Sequence, residues 1–377
     1  MRILVIDPWG VNGPARYLNG LLYGLSNYEN VTVITNKYFK KVTGARIEVH
    51  NVFFSRSEKM QSSKVRLLMR GFEYCNGYYY IFRHLRNSEK YDVIHINWLL
   101  VYRLDKLFLK ILHKYCKKIV YTAHNVLPHV NSKGYIEKLR PIYSEVDKIV
   151  VHGERTKQEF IKFFPEDEDK IFVQYHGADL NTNLEFVESD VPNEIRKRMK
   201  QFKKKYLFVG QLFYNKGIDR LLPMWREMSK DALLTIVGKP EERYQNYYLQ
   251  KKNNQLDNIM YLDHYVSDNV LNYILCHSDL ILMPYRHASM SAVIFTAADF
   301  GKPIWCTNVG SIGEYVNETM AFVVDNNDEV IKQSLIRIDR DYDAKTLAGM
   351  GMKLQHHIRS ICDWKLIGNK LIHECYS

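Results

Sequence analysis

A lysine between two glycines is the first feature of the sequence that could carry chemistry. In the segment KKKYLFVGQLFYNKGIDRLL, Gly210 ends an apolar run, and Lys216 and Gly217 precede an amphipathic stretch. A lysine at this place can direct a positive charge at a diphosphate, and Gly217 leaves the backbone N–H groups of a helix start open to the same anion. A solvated lysine before a helix is the default explanation when the segment is read alone, so the rest of the sequence must decide.

A second turn that contains glycine lies near the start of the chain. An apolar run ends at Asp7, and Gly10 and Gly13 follow it before an amphipathic stretch. Glycines at such a turn let a ligand approach the backbone closely. The spacing differs from G-x-G-x-x-G, which disfavours an NAD-dependent enzyme. A purely structural role for the two glycines stays open.

Short β-rich runs alternate with longer amphipathic runs, which predicts two α/β units with parallel sheets. In the first half, strands are predicted at 2–6, 31–35, 92–97, 118–122, 148–151 and 171–174, and helices at 15–25, 63–86, 106–117 and 136–145. In the second half, strands are predicted at 206–209, 233–237, 259–262, 280–283, 303–306 and 322–324, and helices at 218–227, 241–253, 268–277, 292–300, 327–337 and from 344 onward. The polar stretch NTNLEFVESDVPNE is the predicted linker.

The 377 residues suffice for two domains that each bury a core, and the basic charge is concentrated in the first of them. The first 150 residues hold 24 Lys and Arg against 11 Asp and Glu, a net charge of +13, while the remainder is at −2. This asymmetry suggests an anionic partner for the first half, such as a membrane surface or a nucleic acid. A basic surface that serves only solubility gives the same count.

The sequence contains no run of about 18 apolar residues that would cross a bilayer as a helix. The apolar run at the N-terminus is too short for a signal peptide and predicts a strand. The six cysteines are scattered without a C-x-x-C pair, which suggests neither a zinc site nor a disulfide framework. We expect a cytoplasmic protein.

Seven segments in order give the chain a family resemblance. They are GVNGPARYLNGLLYGL, YTAHNVLPH, VQYHGADL, LFVGQLFYNKGIDRLL, LLTIVGKP, CHSDLILMPY and FTAADFGKPIWCTNVGSIGEYV. Together they resemble the family 4 type of GT-B glycosyltransferases, and the resemblance covers nearly the whole chain. It implies an α/β fold of two Rossmann-like domains that face each other across a cleft. The domains would span 1–182 and 200–355, with a helical segment, 356–377, packing back on the first.

The resemblance also implies roles for individual residues. Lys216 matches the phosphate-binding lysine of the family, and His124 matches a histidine that lines the sugar site, so both are the candidates for catalysis. The candidate donor-binding residues are Gly13, Gly210, Gln211, Lys216, Gly217, Gly238, Lys239, Tyr265, Val266, Arg286, Ser289, Met290, Ser291, Thr296 and Glu314. The candidate acceptor-binding residues are Gly10, Asn12, Asn125 and His129.

The sequence departs from the family pattern at the donor site. The pair of glutamates that the family keeps with seven residues between them falls at Ala288 and Thr296, and Gln211 stands near the place of a common arginine. Thr296 can accept a hydrogen bond from a ribose only as a neutral hydroxyl, and Asp299 is a guess for its replacement. Arg286, Lys239 or the N–H groups of 289–291 are the expected substitutes for the missing cation.

The implied reaction is transfer of a sugar from a UDP- or GDP-sugar, with retention of configuration and no metal or other cofactor. Asp341 and Asp343 form a D-x-D pair, but they lie late in the chain and are expected in a solvated turn. We expect a lipid-linked acceptor, such as a polyprenyl-diphosphate oligosaccharide of capsule, exopolysaccharide or O-antigen assembly. The basic and aromatic stretch 59–82 would then hold the protein at the inner face of an anionic membrane.

Other functions remain open at this point. A nucleotide-sugar epimerase on the same architecture would bind the donor without an acceptor. A regulatory subunit that binds nucleotide sugars is consistent with the missing glutamates. A nucleic-acid-binding protein rests only on the pI of about 9.1, with no recognised motif, and we expect no nucleic acid partner.

Overall fold

The computed structural model describes residues 1–40, 46–60, 63–127, 134–178, 184–252 and 256–377, without the side chains of residues 12, 13 and 63. The chain forms two units, which are treated separately below. The first unit contains Met1–Asp179 and Ile361–Ser377, and the second contains Leu180–Ser360. The C-terminal segment from Ile361 onward thus belongs to the first unit.

The first unit is built on a seven-stranded parallel sheet with the order β3-β2-β1-β4-β5-β6-β7. The strands are β1 Arg2–Asp7, β2 Asn30–Asn36, β3 Ile47–Phe53, β4 Tyr91–Ile96, β5 Cys116–Thr122, β6 Lys148–Val151 and β7 Ile171–Val173. Alternate residues of β1 enter opposite layers, because Ile3 and Val5 join one buried cluster and Leu4 and Ile6 join the other. The sheet is therefore covered on both faces, as its apolar strands require.

Two helical layers cover this sheet. The helices are α1 Asn12–Ser26, α2 Ser63–Arg86, α3 Tyr102–Leu112, α4 Ile136–Tyr143, α5 Glu154–Phe163 and, at the C-terminus, α13 Trp364–Lys370, which continues as a π-helix to Tyr376. Helices α1 and α13 pack together on one face. Their backbones meet at two glycines, since a Cβ on Gly368 would lie 2.3 Å from the carbonyl carbon of Gly24.

The second unit repeats the architecture with six parallel strands in the order β10-β9-β8-β11-β12-β13. The strands are β8 Lys204–Val209, β9 Ala232–Val237, β10 Ile259–Leu262, β11 Leu280–Met283, β12 Ile304–Thr307 and β13 Ala321–Val324. The helices are α6 Asn193–Gln201, α7 Ile218–Met224, α8 Glu242–Lys252, α9 Asp268–His277, α10 Val293–Asp299, α11 Asp328–Asp341 and α12 Ala344–Ile361. The predicted α/β class is confirmed in both units.

The predicted elements miss three that the structure contains, namely β3, α5 and α6. Strand β3 reads IEVHNVF and lies at the edge of the sheet, where most of its side chains are only half-buried. Its mixed composition therefore hides it from a search for apolar runs. None of the helices in the described ranges has the length and apolar character of a bilayer span.

Candidate functional site

In the second unit, the strand order reverses between β8 and β11, because β8 continues through a crossover to β9 on one side and β11 leads to β12 on the other. Open α/β sheets bind ligands outside the carboxyl ends of the strands at such a point. Strand β8 ends at Val209, before Gly210, and β11 ends at Met283, before Pro284 and Tyr285. The loops that follow these two strands carry most of the predicted donor residues.

Lys216 lies at this switch point, in a 3₁₀ turn at Tyr214–Lys216. Its Nζ atom lies 3.8 Å from the centre of the Tyr285 ring, which is buried beneath it. Burial lowers the pKa of Lys216 to about 8, and no neighbouring charge contributes to the shift. Within the described part of the chain, Lys216 forms no ion pair. It is a cation in place for an anion that the protein itself does not supply.

Close backbone contacts hold the loops around Lys216. Gly217 has a φ of +70°, and a Cβ there would lie 2.0 Å from the Pro284 carbonyl oxygen. Gly238 has a φ of +152°, and a Cβ there would lie 1.9 Å from the carbonyl oxygen of Gly210. Only glycine satisfies both the backbone angle and the space at these two positions. The loops after β8, β9 and β11 are thus locked against one another.

Arg286 lies next to this site, but its charge is already paired. Its guanidinium donates two hydrogen bonds to Asp219, at 2.8 and 2.7 Å, and a third to the Tyr214 carbonyl at 2.8 Å. The Asp219 side chain is almost fully buried, and the guanidinium holds its pKa below the usual range against the effect of burial. Arg286 as it stands therefore joins two loops, with its charge paired to Asp219.

The remaining predicted donor residues lie on the loops at this edge of the sheet. Gln211, Lys239 and Tyr265 are exposed, and Val266, Ser289, Met290, Thr296 and Glu314 are half-buried. Ser291 is buried, and its hydroxyl lies 3.1 Å from the Tyr285 hydroxyl. A Cβ on Gly310, which has a φ of +53°, would lie 1.9 Å from the Ala288 carbonyl oxygen, so the loop after β12 meets the loop after β11.

Asp299, the guessed replacement for a missing glutamate, lies at the end of α10 that is farther from the loop after β11. It is the last residue of α10, which begins after the loop that follows β11 and runs away from it. Its carbonyl accepts a hydrogen bond from Gln355 of α12 at 2.9 Å, and its side chain is 6% exposed. Thr296, by contrast, lies one turn nearer to the loop.

In the first unit, the strand order reverses between β1 and β4. The carboxylate of Asp7 organises this point: it accepts hydrogen bonds from the backbone N–H groups of Trp9 and Gly10, at 3.0 and 2.9 Å, and from Asn97 Nδ2 at 2.9 Å. Burial raises the pKa of Asp7 to about 6. A Cβ on Gly10 would lie 2.1 Å from Thr35 Oγ1, which gives this glycine a packing role.

Four histidines lie near the carboxyl ends of β4 to β7 and form one cluster, with His95 inside β4 and the other three just after their strands. His124 stacks on Trp98 with ring centres 4.4 Å apart, and its Nδ1 lies 3.3 Å from Nε2 of His152. Tyr17 stands at the centre and contacts the rings of His124, His152 and His176 at 4.6, 5.4 and 4.8 Å. His95 lies deeper and is bonded to Tyr376 and Thr122.

Burial keeps this cluster neutral. It lowers the pKa of His95 and His176 to about 3 and of His152 to about 4, and it lowers the pKa of His124 well below its ordinary value. The Nε2 atom of His124 is buried and has no hydrogen-bond partner among the residues that the structure describes. A neutral imidazole with one unused nitrogen can donate or accept a hydrogen bond, which suits a sugar or acceptor hydroxyl.

The other predicted residues of the first unit lie around α1 and β5. Asn12 and Gly13 are the first two residues of α1, and their side chains are not described. Asn125 is exposed directly after His124. His129 lies outside the described residues.

Sequence reasoning missed Tyr285, Asp219, Trp98, Tyr17, His152 and His176. A signal for the histidines was available, because they stand at or just after four consecutive predicted strands, and the carboxyl ends of parallel strands meet at one edge. No comparable signal marks Tyr17, which reaches the cluster from α1, or the pairing of Asp219 with Arg286 across 67 positions in the sequence.

Two family models match the chain in succession. Residues 11–182 match the model described as Glycosyltransferase Family 4, and residues 203–341 match the model described as Glycosyl transferases group 1. The first match covers most of the first unit, with α1 and the histidine cluster. The second covers the second unit from β8 to α11, with Lys216 and the loops around it.

Individual proteins show the same relationship at lower identity. The chain is 28% identical over 223 residues to the putative glycosyltransferase YtcC of Bacillus subtilis, an alignment that covers 55% of this chain and 54% of that protein. The chain thus spans about half the length of this relative. It is 24% identical over 259 residues to an uncharacterized 41.2 kDa protein in the cps region of Klebsiella pneumoniae, which covers 65% of this chain and 68% of that protein.

The fold also matches a solved structure along nearly the whole chain. Anabaena HepE, solved in complex with UDP-glucose, is 16% identical, with a TM-score of 0.69 and coverage of 99% of this chain and 98% of that chain. At this identity the likeness concerns the fold, which is GT-B. With two family models in the order expected for the two units, the chain belongs to the family 4, group 1 type of glycosyltransferases.

Proposed function

We propose that this protein transfers a sugar from a UDP- or GDP-sugar to a lipid-linked or oligosaccharide acceptor in polysaccharide assembly. The observation that carries the donor half of the proposal is Lys216, a partly buried cation at the strand switch point without a carboxylate partner in the described chain. The bound UDP-glucose of HepE supports a nucleotide sugar as the anion. The Klebsiella relative, from a cps region, supports a polysaccharide acceptor.

In the proposed reaction, the bond between the sugar C1 and the β-phosphate oxygen breaks, and a bond from C1 to the acceptor oxygen forms. The proton of the acceptor hydroxyl passes to the departing phosphate on the same face, which retains the anomeric configuration. Lys216 stabilises the charge that grows on the diphosphate as it leaves, and no metal is proposed for this role. His124, kept neutral by burial, would hold a hydroxyl of the sugar or acceptor through Nε2.

The donor assignment is tested by thermal shift with UDP, GDP, ADP and their sugars. A nucleotide at about 100 times its Kd should stabilise the wild-type protein by about 2.7 kcal/mol. Lys216→Ala should lose most of this gain. Lys230→Ala is the matched control, because it removes an exposed lysine just before β9, at the amino ends of the strands, and should retain the gain. Failure of every nucleotide to stabilise the wild type would overturn the assignment.

A second candidate function has one observation in its favour. Ala288 and Thr296 replace the two carboxylates expected at the donor site, which fits a subunit that binds nucleotide sugars without catalysis. Such a subunit would show the thermal shift but no slow hydrolysis of the donor in the absence of acceptor. Release of free sugar from the donor, lost in Lys216→Ala, would establish catalysis. An epimerised nucleotide sugar would instead identify an epimerase.

We further propose that the protein works at the inner face of an anionic membrane, held there by its basic first unit. The net charge of +13 over the first 150 residues supports this location, as does the lipid-linked acceptor.

A further inference from the structure

Helix α2 exposes apolar side chains along one face. Val65, Leu68, Phe72 and Tyr79 are 52, 78, 70 and 66% exposed. Their spacing of three, four and seven residues places them in one row on an α-helix, opposite the row of Tyr74, Tyr78, Ile81 and Leu85 that enters the core. Large apolar side chains exposed in a row mark a surface that interacts with another protein or with a membrane.

The same row continues into two arginines. Arg83 and Arg86 follow Tyr79 by four and seven residues, at the C-terminal end of the helix. They line a groove of about 450 Å³ together with aromatic side chains of α2 and of the segment after α3, among them Phe82 and Tyr115. A groove with two guanidinium groups and aromatic walls fits a phosphate group attached to an apolar body.

The charges on this face are not neutralised by the protein. Neither Arg83 nor Arg86 forms an ion pair with any residue in the described ranges. The only carboxylate of α2, Glu73, is turned inward and accepts hydrogen bonds from Ser55 and Ser57. The exposed face of α2 therefore presents Arg83 and Arg86 at its C-terminal end and the apolar row before them.

The cations that the sequence suggested for a membrane are placed differently. Arg70 donates to Glu58 at 2.7 Å and lies over the Trp9 ring at 4.9 Å, so it ties α2 to its own unit. Lys59 lies 5.9 Å from the centre of the Tyr38 ring. Lys64 and Arg66 of α2 form no ion pair with any described residue, so unpaired positive charge lies at both ends of the helix.

We propose that the α2 face is the membrane-docking surface, with Arg83 and Arg86 binding the phosphate of an anionic phospholipid and Leu68 and Phe72 entering the acyl boundary. The inference deepens the membrane location proposed above and rests on it. A bilayer with anionic head groups fits because it offers both parts at once, a row of phosphates for the arginines and an apolar layer for the exposed row.

The experiment is sedimentation with vesicles of phosphatidylcholine containing 40% phosphatidylglycerol, in about 150 mM salt and without nucleotide. An arginine near an anionic surface is worth about fivefold in partition, so Arg83→Ala/Arg86→Ala should bind about thirtyfold more weakly. Leu68→Ser/Phe72→Ser should weaken binding at least as much through loss of apolar insertion. Both double variants alter exposed side chains and should melt at the wild-type temperature.

The matched control is Lys157→Ala/Lys162→Ala, which removes two positive charges from α5, beside β6 and β7 at the other edge of the sheet. It should bind like the wild type. The proposal is overturned if the wild type sediments equally with pure phosphatidylcholine, if it does not sediment at all, or if the control loses as much binding as the arginine variant. Because no nucleotide is present, each of these results leaves the donor-site assignment intact.

Discussion

The candidate site of the second unit is held together by contacts between backbone atoms, whereas that of the first unit is formed mainly by the rings of aromatic and histidine side chains. In the second unit, Gly217, Gly238 and Gly310 each lie against a backbone carbonyl oxygen, and the loops leave little room for adjustment. In the first unit, Gly10 lies against the Thr35 side chain, and Gly20 and Gly177 lie against the ring of Trp364. Fixed backbone suits a diphosphate, which is the same in every donor, while side chains can be varied for different acceptors.

The two sites also differ in charge. Burial acts on both, but it leaves Lys216 with a pKa of about 8 and therefore charged at neutral pH, while it leaves the histidines uncharged. A lone cation suits an anion, and neutral imidazoles beside Trp98 and Tyr17 suit hydroxyl groups and the apolar faces of a sugar. The comparison predicts that acid damages the first site and alkali the second.

Acidification gives the largest expected effect. The pKa values of His95, His124, His152 and His176 are lowered in the folded state, so below about pH 6.5 the unfolded chain takes up protons that the folded chain excludes. Stability should be complete above that pH and fall below it. Asp7 and Asp105, with pKa values raised to about 6, act in the opposite direction.

The histidines and the two carboxyls act against each other, so the unfolded chain binds about two more protons than the folded protein. This difference lowers the free energy of unfolding by up to about 3 kcal/mol for each pH unit between 6 and 5. Urea unfolding followed at pH 7, 6 and 5 measures this slope. His152→Asn should flatten it by about one proton, since it removes one of the buried groups. Stability that rises on acidification would contradict this prediction, and an unchanged slope in His152→Asn would show that the pKa of His152 is not lowered in the folded protein.

Glycine substitutions test whether the second site is held by rigid backbone contacts and the first by side chains that can adjust. Gly238→Ala forces a Cβ against the Gly210 carbonyl oxygen at a φ of +152° and should cost about 3 kcal/mol of unfolding free energy, with loss of the UDP thermal shift. Gly10→Ala meets a side chain that can move and should cost about 1 to 2 kcal/mol. Gly349→Ala of α12 has open space and serves as the control. An equal loss of unfolding free energy in Gly238→Ala and Gly10→Ala would show that the two sites do not differ in this way.

The smallest expected effect is at alkaline pH. Below about pH 8 Lys216 is protonated, and as the pH rises through that value the free protein loses the charge that a diphosphate needs. UDP affinity measured by calorimetry should fall about fivefold, or about 1 kcal/mol, between pH 8 and 9. Lys216→Arg keeps its charge over this range and should show a flat profile. A wild-type affinity that stays constant to pH 9 would mean that Lys216 does not contact the nucleotide.

Most strands could be predicted because buried parallel strands read as short apolar runs, and β8, β9 and β11 are of this kind. Strand β3 could not, since an edge strand mixes polar and apolar residues. The position of Lys216 follows from a local pattern of strand, glycine turn and helix, which is why it could be identified in advance. Its catalytic role, like that of His124, stays a prediction until the donor experiments are made.

Arg286 shows where local reasoning ends. Its sequence neighbourhood indicates a free cation near the donor loops, but its partner Asp219 belongs to α7, on the far side of the 3₁₀ turn that carries Lys216. The choice between an ion pair and a free charge depends on which side chains tertiary packing brings within about 3 Å, and no spacing rule encodes that distance.

The sequence by itself determined the alternation of strands and helices, the two α/β units and the lysine at the turn after β8, because these depend on interactions within a few residues of chain. Only the tertiary structure decided that three histidines pack around Tyr17, that Arg286 is neutralised and that Lys216 is not. Burial and pairing arise between elements distant in sequence, and they set which groups are charged and available to bind.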